Sequence, residues 1–336
     1  MSLHTLLFNK WSEYQPMANP NTIHNYTRMM LKYQQWEQKY TPPSGLNPVV
    51  SWTCEQFNIY FNQNTIKAFL DTYENLNTKS SYCAVICSYL NYFNGETKIL
   101  ESCRQFLLDI KIEISLETDK HTKTVVQDKN WRSLKDIRKC LTKRGKWIDE
   151  FKYFDDETRS KTLMIDLQRY VISMLYMGFN EHPPVRCNYT MEVVNDIAPF
   201  PALLYKQKIN YLIDTGNGML FVFNSFKTVK TMGQQIIPVC DGLEPILEKW
   251  IHYLIQNKIH TDDKKNYLLY NSRFNKLSDN MLASYIPTAF QECKAKLTVD
   301  TLRHVFISDE CNLGNSKKYA KLMMHSQMEQ ANYWKE

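Results

Sequence analysis

Gly216-Asn217-Gly218 lies between two strand-like runs in NYLIDTGNGMLFVFNSF, and such a turn leaves those runs little choice but a β-hairpin. A lone hairpin is marginal in water, so it must recruit further strands and pack against other elements. A third run, Gln234 to Val239 (QQIIPV), returns after the polar stretch Lys227 to Gly233. The pattern therefore predicts a small antiparallel sheet. Around it the patterning is helical.

In NTIHNYTRMMLKYQQWEQKY the apolar positions Ile23, Tyr26, Met30, Tyr33 and Tyr40 recur at helical spacing after a cap-like Asn21, and Pro42-Pro43 with Gly45 stops the run. Similar patterns predict helices over Cys54 to Asn75, Ser80 to Phe93 (broken by Asn94-Gly95) and Lys98 to Ile112. Residues Glu113 to Asn130 are polar and aperiodic, the signature of a linker. Beyond them come an apolar helix over Lys161 to Phe179, then the β section. Helices follow over Gly242 to Asn257, Ser278 to Lys294, Thr298 to Asp309 and Asn315 to Tyr333. The expected fold is mainly α: a helical domain over 1–112, a linker over 113–130, and a mainly helical domain over 131–336 carrying the sheet.

At 336 residues with 43% hydrophobic and 23% charged, the chain can bury a sizeable core, which excludes global disorder. The longest apolar run, Tyr170 to Phe179, is far short of the ~20 residues that cross a bilayer, and Leu3 to Phe8 is too short for a signal core. A non-membrane, intracellular protein is expected. Nine cysteines without a CxxC pair read as reduced thiols rather than as a zinc site. No phosphate-binding glycine loop, GxSxG or HExxH is present, so neither a cofactor nor a metal is expected.

The net charge is +6, and the first 125 residues hold eleven basic and eleven acidic side chains, so the whole excess lies beyond them. Lys129, Arg132, Lys135, Arg138, Lys139, Lys143, Arg144 and Lys146 crowd one stretch broken only by Asp136. Such a one-sign cluster suits a polyanion.

Within the basic half, HPPVRCNYT places Arg186 after the long apolar helix, and FNSFKTVKTMG places Lys227 and Lys230 between two strands. LTVDTLRHVF puts Asp300 and Arg303 one turn apart on a helix, and MMHSQMEQANYWKE carries His325 and then Tyr333. In this chain order the set resembles the tyrosine recombinase (phage integrase) family over nearly the whole chain. PPVR and FKTxKxxG are most similar to recombinases of large DNA viruses and eukaryotic mobile elements.

The resemblance implies cleavage of double-stranded DNA by Tyr333, leaving a 3′-phosphotyrosine and a free 5′-hydroxyl that later rejoins. Arg186 and Arg303 would neutralise the charge that grows on the phosphate oxygens, since guanidinium is always charged and bidentate. Lys227 would protonate the leaving 5′-oxygen, with Lys230 as the other candidate. His325 would donate to the phosphate, while His304 would be structural. Energy stored in the phosphotyrosine lets the strand rejoin without ATP.

Three positions depart from the family pattern. Asp300 stands where the family has histidine: it either accepts the tyrosine proton, orients Arg303, or marks lost activity. Tyr189 stands where an acid is common, and Met324 replaces the glycine before the second histidine. Three readings follow: site-specific recombination or integration, relaxation by a type IB topoisomerase-like enzyme, and a DNA-binding protein with a degenerate site. Recombination implies four protomers meeting on DNA. The three residues after Tyr333 are too few for a docking helix, so coupling must come from elsewhere.

Overall fold

The computed structural model describes residues 3–16, 18–40, 62–92, 97–118, 120–186, 188–194, 208–261, 263, 265–312 and 314–336. The chain divides into two compact units, Met1–Lys120 and His121–Glu336.

The first unit is helical: α1 (Leu3–Tyr14), α2 (Pro20–Tyr40), α3 (Gln63–Asp71), α4 (Leu76–Tyr92) and α5 (Thr97–Thr118). The sequence pattern missed α1. The helix expected over 54–75 ends at Asp71, and its first residues lie outside the described residues, as do Pro42, Pro43, Gly45 and the Asn94-Gly95 break. α4 starts before Ser80 because the Asn75 side chain accepts the Thr78 amide at 3.0 Å, a cap that the apolar periodicity does not record. The core gathers Trp11, Met30, Tyr33, Phe69, Ile86 and Leu90, with Phe69 meeting Tyr33 and Tyr82 edge-on at 5.0 and 5.2 Å. Cys83, Cys87 and Cys103 pack there as free thiols.

Much of the stretch read as linker is helical. α5 runs on to Thr118, its end too exposed to show an apolar period. Residues Val125–Asn130 form α6, opened by a Thr124–Gln127 capping box.

The second unit continues with α7 (Leu134–Glu150), α8 (Lys161–Met177), β1 (Glu192–Val194), β2 (Tyr211–Asp214), β3 (Met219–Phe223), α9 (Val229–Met232), β4 (Gln235–Pro238), α10 (Glu244–Gln256), β5 (Asn266–Tyr267) and α11 (Asp279–Ala289). α12 (Val299–Glu310), α13 (Ser316–Leu322) and α14 (Gln327–Ala331) complete it. α8 is buried nearly all round, with Leu167, Val171 and Leu175 on one side and Gln168, Ile172 and Tyr176 on others. Its buried Gln168 amide is satisfied by both backbone groups of Tyr270.

The hairpin forms as the turn requires: Gly216 and Gly218 take φ of 75° and 122°, and β2 pairs antiparallel with β3. The sheet is nevertheless mixed rather than antiparallel. Its order is β4-β3-β2-β1-β5, and β1 runs parallel to β2 with Val193 opposite Leu212. β1 and β5 hold three and two residues, too short for alternation to reveal them. Val193, Leu212, Phe221 and Phe223 join the main core, while Tyr211, Ile213 and Val222 form a small cluster on the other face.

Three arginines of the basic stretch serve the fold. Arg144 is buried, donates to the carbonyls of Asp166 (2.8 Å) and Ala289 (3.3 Å), and faces Glu292. Arg138 donates to the Met177 carbonyl at 3.1 Å and to Asn180, and pairs with Glu310 at 3.7 Å. Arg132 donates to the carbonyls of Cys293 and Lys294 at 3.1 and 2.8 Å. Lys129, Lys135, Lys139, Lys143 and Lys146 remain exposed.

The two units carry opposite buried titrations. His182, whose Nε2 accepts the Cys240 amide at 2.9 Å, and His325 are both pushed down to about 4, chiefly by burial. In the first unit, burial pushes the Glu37 carboxyl up to about 7. The unfolded chain protonates histidine near 6.5, so the second unit loses stability as pH falls from about 6.5 towards 4. Glu37 works the other way, and the first unit loses stability as pH rises from about 4.5 through 7. Amide hydrogen exchange between pH 7.5 and 5 should therefore show protection rising in α2 and falling in α8 and α12. His182→Gln, which keeps an acceptor for Cys240, should lessen the fall in the second unit.

Candidate active site

The site is built on α12. Thr298 caps it by accepting the Thr301 amide at 3.2 Å, and Leu302, Val305 and Phe306 draw one face into the core. Arg303 goes in with them, at 2% exposure. Its Nη2 donates to His325 Nδ1 at 2.6 Å and its Nη1 reaches the Pro184 carbonyl at 3.5 Å. Its Cζ lies 4.6 Å from the centre of the Tyr333 ring. Nε has no hydrogen-bond partner, and no carboxylate lies within ion-pair distance of the guanidinium among the described residues. Burial pulls its pKa down, while Tyr333 opposes that and Arg186 adds to it. Asp300 acts on it only at longer range; a buried cation without an ion-pair contact costs several kcal/mol, and this one keeps its Nε donor unspent.

His325 is placed by a helix end. The single helix expected over 315–333 is split into α13 and α14, because Met324 turns left-handed at φ 57°. The Met324 and His325 amides then bond back to Lys321 and Ala320, both at 3.0 Å, a Schellman ending. Glycine would adopt this φ freely; in methionine it costs roughly 1 kcal/mol, which burial of the side chain offsets. Thr228 Oγ1 donates to the Met324 carbonyl at 2.7 Å, tying the loop after β3 to this turn.

Tyr333 is buried against both histidines, with ring centres 4.9 Å from His304 and 5.6 Å from His325. His304 does more than pack beside Arg303: its Nδ1 donates to the Tyr333 carbonyl at 2.7 Å, and its Nε2 faces Asp300 at 3.5 Å. His304 is the main cause holding the Asp300 carboxyl below its usual range, helped by Arg303 and Arg186. Past the tyrosine, the Glu336 amide donates to the His121 carbonyl at 2.9 Å and Lys123 reaches the Glu336 carbonyl. The His121 ring meets Trp334 edge-on at 5.1 Å.

Arg303, His325, Tyr333 and Asp300 are thus brought together. Arg186 is exposed on the turn after Pro183-Pro184, where the Tyr176 hydroxyl donates to its carbonyl at 2.9 Å, and its charge is felt at Asp300, Arg303 and His325. Lys227 and Lys230 are exposed, and neither makes a hydrogen bond or ion pair among the described residues. Lys227 precedes Thr228, and so stands at the tied end of its loop; Lys230 rides on α9. Tyr189 is a core residue, packed edge-on against Tyr176 and Phe221.

Sequence reasoning passed over Thr228, Lys335 and Gln330. The Lys335 pKa is lowered by burial, with Asp300 opposing. Gln330, 2% exposed, lies against His325. A polar residue three positions before the tyrosine carries no signal of this in the sequence.

No protein-family model matches the chain, and none of the curated proteins matches it. Among solved structures, the crystal structure of XerA recombinase matches with 12% identity and a TM-score of 0.35, covering 98% of this chain and 92% of that one. A likeness at that level carries no argument by itself.

Two buried arginines should separate under the same substitution. Arg144→Met breaks three polar contacts and should destabilise the fold by about 2 kcal/mol or more in urea unfolding. Arg303→Met removes a buried charge that no carboxylate pairs directly among the described residues, and should leave stability unchanged or raised. A loss at Arg303 as large as that at Arg144 would make both of them structural.

Proposed function

We propose that this protein cleaves and rejoins double-stranded DNA through Tyr333. The observation that carries the reading is the buried Arg303 guanidinium, paired with no carboxylate among the described residues and with its Nε donor unspent, lying against a tyrosine and a histidine. A phosphodiester oxygen is an anionic acceptor that such a charged donor would take. Arg186, exposed at the rim, would take the other phosphate oxygen, so that charge growing on the pentacoordinate phosphorus meets two guanidiniums.

The Tyr333 oxygen would attack phosphorus and the 5′-oxygen would leave, giving a 3′-phosphotyrosine. We assign the phenol proton to Asp300, held ionised chiefly by His304. Lys227, beside the Thr228 tie, would give a proton to the 5′-oxygen, with Lys230 as the alternative donor. The reverse attack by a 5′-hydroxyl rejoins the strand. The exposed lysines Lys129, Lys135, Lys139, Lys143 and Lys146 would contact backbone phosphates. Recombination further requires four copies on two duplexes, which we place on DNA rather than in free solution.

A second reading, a DNA-binding protein that does not cleave, is favoured by the closed geometry: Tyr333 is buried and Arg303 already engages His325. A nicked duplex that loses its 5′-fragment on cleavage separates the two. A covalent protein–DNA adduct is expected with the native chain and absent with Tyr333→Phe. DNA binding without an adduct on any duplex would leave the non-cleaving reading. Relaxation of supercoiled plasmid lacking any target site would favour topoisomerase-like action over recombination.

Binding should depend on the lysines and not on the neighbouring arginines. Each lost phosphate contact should flatten the salt dependence of log K by about 0.9. Lys135→Glu, Lys139→Glu and Lys143→Glu combined should weaken binding and lower that slope by about 2–3. An unchanged slope would remove this face from the footprint.

A further inference from the structure

We propose that Gln330 fixes the tautomer of His325 and makes the imidazole an acceptor that aims Arg303, rather than a donor to phosphate. The inference rests on the reading of Arg303 as the phosphate-binding group.

Two independent arguments place the proton. Guanidinium has donors only, so the 2.6 Å contact from Arg303 Nη2 requires a lone pair on His325 Nδ1. The ring proton of the neutral form must then sit on Nε2, which faces Gln330 Oε1 at 3.1 Å. The Gln330 amide could in principle be turned over, but its nitrogen faces the Ser316 carbonyl at 3.0 Å, and a carbonyl has no proton to give. The Ser316 hydroxyl, 3.1 Å away, and the Cys311 sulfur complete that end. The amide is therefore oriented by α13 and the turn before it, and its oxygen accepts from His325.

The charges around the ring agree. His325 faces Arg303 from α12, Arg186 from the turn after α8, and Tyr333 from the end of α14. Both arginines oppose a second proton on it, and no carboxylate pairs with it among the described residues. With its only N–H spent on Gln330, His325 has nothing to offer a phosphate. It holds Nη2 instead, leaving the unpartnered Nε of Arg303 to meet the ligand. Gln330 is thus a positioning residue, two bonds removed from the chemistry.

Side-chain nitrogen NMR of the ¹⁵N-labelled full chain reads the tautomer without DNA. From pH 5 to 8, His325 should keep a proton on Nε2 and a bare Nδ1. In Gln330→Glu, of the same shape, a carboxylate should draw a second proton onto the ring within that range, and cleavage should fall as pH drops. In Gln330→Met the Nε2 proton has no acceptor, so the ring should loosen from Arg303 and a second tautomer should appear, with the cleavage rate falling on the order of tenfold and DNA affinity unchanged. A proton on Nδ1 in the native chain, titration of His325 near 6.5, or a native tautomer in both variants would overturn the proposal. Failure of the native chain to form an adduct would count against the proposed function alone, because the tautomer is measured independently.

Discussion

A buried cation that no carboxylate pairs among the described residues organises the second unit's functional end. Arg303 sits deep because its neighbours on α12, Leu302, Val305 and Phe306, must be in the core. Once there, a group made only of donors has to be answered by lone pairs and a π face. Pro184 supplies these from the turn after α8, and His325 and Tyr333 from the two ends of α14. Each is a weaker answer than a carboxylate, so the site retains a demand for negative charge. Arg144 and Arg138 show the alternative, with carbonyls and a nearby glutamate in attendance, and they read as fasteners.

The helices that position this centre were legible where one apolar face meets one core. α2, α8, α10 and α12 fall close to their patterns, and the paired glycines of the hairpin announce themselves by the backbone angles that they alone tolerate. Elements that derive from tertiary context were not legible. β1 and β5 exist because neighbours hydrogen-bond them, not because their few residues prefer extension. The break between α13 and α14 has no glycine or proline to mark it, since methionine occupies the left-handed position.

Within the candidate site, the residues that the fold brings together and that have a strong chemical type, Arg303, His325 and Tyr333, stand out in order along the chain. Their supports do not. His304 and Gln330 act through which atom faces which, a matter of rotamer and orientation that spacing does not encode. The basic stretch divides for a similar reason. Its arginines reach backbone carbonyls with a planar fork and turn inward, while its lysines, compact and strongly hydrated, stay in water.

The clasp between residues 121–123 and 334–336 joins points more than two hundred residues apart. Closing a loop of that length carries an entropic cost of several kcal/mol unless the intervening fold has already brought its ends together. The clasp is therefore among the last contacts made as the unit assembles and, by the same reasoning, among the first released in native fluctuations. The segment it pins begins one residue after Tyr333. The tyrosine's seat can thus loosen and re-form while the hydrophobic core beneath α12 stays intact.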